Sequence, residues 1–156
     1  MTPNSTAAHS DTRPVRDKTI EELEGFVAAA PGVQTHVVTE VHRLRKLPLK
    51  RLRIEDLRLL IGQDVARQYL VPLALDHLDR HPFAAGDFYK GDLLLAVARV
   101  SEPFWTLRPH LRRQLITALQ RGLERIHKVR TVPTMEADLK AALQQHEAPL
   151  PPGPSN

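Results

Sequence analysis

Within six residues the chain places Asp76, His77, Asp79 and His81, side-chain types that hold metal ions or move protons. His77 and His81 are four apart and would share a helix face, as in two-histidine zinc motifs, but the catalytic glutamate of the zinc proteases is missing. Pro82 directly follows His81 and should take it out of regular helix. A solvated helix end is the simpler reading, so no metal and no cofactor is expected here. Gly86 and Gly91 do not form a phosphate loop, because Asp87 and Asp92 follow them and carboxylates repel phosphate. Ser101 precedes Pro103 with no histidine close in sequence, which gives a hydrolase triad no support. With no cysteine there is no thiolate nucleophile, disulfide or Cys-ligated zinc. An enzyme is not expected.

The more distinctive stretch is HPFAAGDFYKGD, from His81 to Asp92. In a purely structural role Asp87 and Asp92 cap backbone N–H groups at a helix start, and Phe88 anchors the loop to the core. In a functional role Tyr89 stands exposed beside Asp76, Asp79, Asp87 and Asp92, with Lys90 among them. An acidic patch with an aromatic anchor suits a basic protein partner. The two roles are compatible, and the expected partner-binding set is Asp76, Asp79, Asp87, Tyr89, Lys90 and Asp92.

Helices must position these residues. Thr19 and Glu22 form a capping-box pattern ahead of Ile20, Leu23 and Val27, with Pro31-Gly32 as the stop. Val37, Val41 and Leu44 predict a helix over 35–46, and Ile54, Leu57, Leu60 and Ile61 another, with Gly62 as its cap. Arg53 stands before that second helix, where Ser or Thr is the usual cap. Asp64 could cap a fourth helix to about Asp79, kinked or split at Pro72. Leu93 to Val100 is apolar almost all round and reads as a central buried helix. Pro109 starts a long helix to about Lys128 with Leu111, Leu115, Leu119, Leu123 and Ile126 in one stripe. A last helix is predicted over 134–145. No period-two alternation bounded by turn residues appears.

The expectation is an all-α fold, a compact helical bundle of six to seven helices. Residues 18–146 would form a single domain between a disordered N-terminal tail, 1–17, and a Pro-rich C-terminal tail, 147–156. Composition agrees: of 156 residues 42% are hydrophobic, 26% charged and only 4% aromatic, an aliphatic core that favours helices. No apolar stretch is long enough to span a bilayer and no signal-peptide pattern opens the chain, so a cytoplasmic protein without membrane contact is expected.

The net charge of +4 is unevenly spread. Residues 42–53 (HRLRKLPLKRLR) carry six bases and no acid, residues 54–104 five bases and eight acids, and residues 105–130 seven bases and one acid. The basic segments 42–53 and 108–130 could neutralise phosphates, which makes a nucleic-acid-binding helical module the alternative function. Aromatic residues are not interleaved with the arginines, so solvated cationic faces are the simpler reading and no nucleic acid is expected.

Lys46-Leu47-Pro48-Leu49, then IEDLRLLIGQ from Ile54, YLVPLALDHL from Tyr69 and GDFYKGDLLLAV from Gly86 resemble the immunity proteins of bacterial contact-dependent growth inhibition systems. Phe104-Trp105 and the Pro109 helix also fit, so the resemblance spans about residues 20–125. It implies a small cytoplasmic antidote that binds the toxic C-terminal domain of an exoprotein delivered by sibling cells; a monomer in a 1:1 complex is assumed. Toxins of this family are often nucleases, which implies a basic partner surface. Binding would then be salt-sensitive and tight, on the order of nM or below, as known for DNase–immunity pairs of another system.

Overall fold

The computed structural model describes residues 11, 13–32 and 34–149. Most of both expected tails lies outside them, and of the remainder Val15–Asp17 form a 3-10 turn and Glu147 closes the last helix. Among the described residues the fold is all-α, with eight α-helices and no strand. Two compact units divide the chain, one up to Arg51 and one from Leu52.

In the first unit, α1 (Ile20–Glu24) opens on the expected capping box: Thr19 Oγ1 accepts from the Glu22 N–H, and the Glu22 carboxylate accepts from the Thr19 N–H. Gly25, left-handed at φ 75°, ends the helix early, which leaves Val27 outside it and exposed. Thr35 caps α2 (His36–Leu44). Backbone bonds from Leu49 to Lys18 and from Glu21 to Arg45 tie the end of this unit to its beginning.

The second unit holds α3 (Ile54–Gly62), α4 (Arg67–Arg80), α5 (Asp92–Ala98), α6 (Glu102–Thr106), α7 (Pro109–Arg125) and α8 (Met135–Glu147). Apolar almost all round, α5 packs against α3, α4, α7 and α8 and buries Leu93, Leu94, Leu95, Val97 and Ala98. The α7 stripe is buried at Leu111, Leu115, Leu119 and in the following turn at Ile126. Trp105 is completely buried; its indole N–H donates to the Val100 carbonyl at 2.9 Å, and the buried His146 ring packs on it edge-on.

Three local expectations change. Pro72 does not split α4: the carbonyl deprived of a partner belongs to Gln68, which is exposed and open to water. Asp64 does not cap α4; it and Ala66, both with positive φ, make the reversal after α3, and Ala66 is the cap residue. Arg53 needs no cap hydroxyl, because Asp56, three residues on, accepts its backbone N–H at 2.8 Å.

Leu94→Ala should lower stability to urea by about 2–5 kcal/mol, since a close-packed site collapses only partly around the void. Leu107→Ala, at a side chain 78% exposed, should change it by no more than about 0.5 kcal/mol.

Candidate functional site

The loop from His81 to Gly91 joins α4 to α5, and its shape is set by one carboxylate. Asp92, the first residue of α5, is 4% exposed. Its Oδ1 accepts from the Gly86 N–H at 2.7 Å and its Oδ2 from the Phe88 N–H at 3.2 Å, with the Tyr89 N–H at 3.5 Å. The positive end of α5 favours the same charge. An antiparallel bridge between Ala85 and Lys90 closes the loop, and Gly91 enters the helix at φ 95°. A Cβ on Gly91 would stand 2.7 Å from the Met135 methyl.

A second carboxylate holds the loop from α3. Glu55 accepts the Asp87 N–H at 2.8 Å and is gripped by Arg58 through bonds of 2.7 and 2.5 Å. The Arg58 bond, followed by that of Asp87, holds the Glu55 carboxyl below its ordinary value, although partial burial opposes this. The same pairing raises Arg58. Arg58 also reaches within 4.0 Å of Asp92 and lays its guanidinium over the Phe88 ring at 4.3 Å. Gly86 is required by this crowding, since a Cβ there would overlap the Glu55 carboxylate and come within 3.3 Å of Glu55 Cα.

Phe88 is therefore not an anchor to the core. It is 68% exposed, with Arg58 beneath its ring. Asp87 is exposed beside it, Tyr89 is half-buried, and Asp92 holds the loop from inside. Asp76 and Asp79 are exposed on α4 and line a groove of about 640 Å³ with Arg80, His110, Arg113 and Thr117, none of which belongs to the loop. Asp79 is ion-paired with Arg121 of α7, so the α4 carboxylates face cations rather than extending one acidic field. Lys90 lines a separate pocket with Arg80, His81 and Arg125. His81 has left the helix, as Pro82 led one to expect, and among the described residues no three of His, Cys, Asp and Glu converge as metal ligands.

The basic segment 42–53 is largely neutralised. Arg43, Arg45, Lys46, Lys50 and Arg53 each pair with a carboxylate, of Glu40, Glu24, Glu21, Asp17 and Asp56 respectively. In 108–130, Arg112 pairs with Glu102 and Arg121 with Asp79.

Asp92→Ala should cost about 1–3 kcal/mol in urea unfolding, because partly buried N–H groups of the loop lose their acceptor, whereas Asp87→Ala should be close to neutral. Glu55 has its folded pKa depressed, so its contribution is complete above its ordinary 4.5 and fades as pH falls through the lower folded value. The stability gap between wild type and Glu55→Gln should accordingly be constant near neutrality and close progressively below pH 4.5. A gap independent of pH would refute the role given to this carboxylate.

The family model of CDI immunity proteins matches residues 22–115, a stretch that includes α3, α4, the 81–91 loop and α5. No curated protein and no solved structure matches the chain. The match covers more than half of the sequence and contains the motif blocks on which the resemblance rests, so the chain belongs to the family of CDI immunity proteins.

Proposed function

We propose that the protein neutralises a cognate contact-dependent growth inhibition toxin domain, a nuclease, by binding it through the 81–91 loop. The observation that carries this reading is Phe88, a large aromatic side chain 68% exposed on a loop whose backbone is fastened by two carboxylates. Aromatic side chains dominate the energetics of protein interfaces, and a loop already ordered loses little conformational entropy on docking. Glu55 and the buried Asp92 are balanced by Arg58 and Arg53, so Asp87 is the exposed carboxylate that this surface offers a basic partner.

Phe88 and Asp87 make the central contact and Tyr89 supports them, whereas Asp76 and Asp79, which face Arg80, Arg113 and Arg121, lie outside it. Asp92 acts by positioning the loop, and Lys90 contributes its backbone to the loop's closing bridge. Asp87 pairs with a Lys or Arg side chain by which a nuclease holds phosphate, so substrate is excluded by occupancy. Association is steered by charge and weakens with salt. The protein acts by binding, not by catalysis.

Co-expression with the toxin domain encoded directly upstream should give a stable 1:1 complex whose toxicity is masked. Phe88→Ala and Asp87→Lys should each weaken the complex by about 2 kcal/mol or more, roughly thirtyfold, with the melting temperature unchanged. If both variants bind and protect like wild type, the loop is not the contact. If wild type neither binds nor rescues, the toxin assignment fails as well.

A further inference from the structure

Among the described residues several cations stand in no ion pair, and three of them meet in a pocket where the 81–91 loop passes the ends of α4 and α7. Arg80, His81, Lys90 and Arg125 line one pocket of about 310 Å³, with Phe83 and Val129 among its apolar walls and no carboxylate in its lining. Among the described residues, Arg80, Lys90 and Arg125 stand in none of the ion pairs of 4.0 Å or less. The backbone of Lys90 is fastened as well, since the Thr131 hydroxyl donates to the Lys90 carbonyl at 2.6 Å.

Helix ends explain part of this charge. Arg80 and Arg125 sit in the last turns of α4 and α7, where the helix dipole attracts cations. Two C-terminal ends contribute about half a negative charge each against three full cations, a surplus of at most about two positive charges because Arg80 also lines the groove of Asp76 and Asp79. A phosphate monoester carries about −1.5 to −2 at neutral pH, and it offers three acceptor oxygens where a carboxylate brings one charge. The volume lies at the lower end of small-molecule sites.

We propose that this pocket binds a phosphate monoester of nucleotide size, the cations taking the phosphate oxygens and the Phe83–Val129 side taking the less polar part. The site is separate from the Phe88 surface and does not depend on the toxin-binding reading. The source of the phosphate is either a free nucleotide or the phosphorylated end of a nucleic acid, and the probes separate the two.

The test is an NMR titration of the full chain with AMP, inorganic phosphate, adenosine, and a short RNA with or without a 5′-phosphate. AMP and inorganic phosphate should shift amide signals of residues 80–83, 90 and 125–129, and adenosine should not. A free nucleotide as source gives AMP the tighter binding; a nucleic-acid end gives it to the 5′-phosphorylated RNA. Arg80→Ala and Arg125→Ala, both at exposed positions, should each weaken AMP at least about tenfold with thermal unfolding unchanged. The proposal is overturned if no phosphate probe binds at millimolar concentration, if adenosine binds as well as AMP, or if binding survives both substitutions. RNA that binds the same with and without its 5′-phosphate rules out the nucleic-acid end as source, and the proposal is equally overturned if Arg125→Ala costs binding of the toxin domain instead of AMP.

Discussion

A carboxylate buried to 4% exposure is tolerated only where hydrogen bonds and a favourable field replace water. Asp92 has both: N–H donors from the loop it follows, and the positive end of the helix it begins. The remaining loop features answer to this one group. Gly86 must lack a Cβ so that its N–H can approach, Gly91 must take a left-handed turn to bring Asp92 back under the loop, and Glu55 can then receive the Asp87 N–H from outside. With the backbone fastened in this way, no side chain of the loop tip is needed as an anchor. Phe88 is thereby released to the surface, where Arg58 lies beneath its ring.

The helices were legible where periodicity had room to develop. Nine residues sufficed for α3 and seventeen for α7, and the all-round apolar character of α5 correctly placed it at the centre of its unit. Five residues were too few for α6 to show a period, although Pro103 is welcome in a first turn. Conformation at single positions escaped as well: Ala66 adopts positive φ, which its residue type does not announce, so the cap of α4 was assigned to Asp64.

The site was legible as a loop but not as a geometry. Gly86-Asp87 and Gly91-Asp92 are the same dipeptide twice within seven residues, yet one aspartate is exposed and the other buried. What separates them is the register of α5 and the approach of Glu55 and Arg58 from a helix about thirty residues earlier. The i,i+3 spacing of Glu55 and Arg58 was the one available signal, and it is equally the signature of an ordinary helical ion pair. Charge counted by segment misled for a related reason. The run 42–53 holds six bases without an acid, but its partners include Glu21 and Glu24, brought by the fold from twenty-odd residues away.

The loop gives Asp87 to the Phe88 surface and Lys90 to the cationic pocket, and the bonds that fasten it bear on how these two proposed surfaces interact. Asp87 and Lys90 are three residues apart. Ligands on two sides of a mobile loop would help each other, because the first to bind would already have ordered the segment the second needs. Here the Ala85–Lys90 bridge, the Asp92 and Glu55 bonds and the Thr131 tether supply that order in advance. Little entropy remains for either ligand to remove. Coupling between the two faces is then left to the Coulomb term, which solvent exposure and salt weaken beyond a Debye length of about 8 Å. On the two readings proposed above, a loop fastened in advance by the buried Asp92 leaves its two surfaces no entropic coupling.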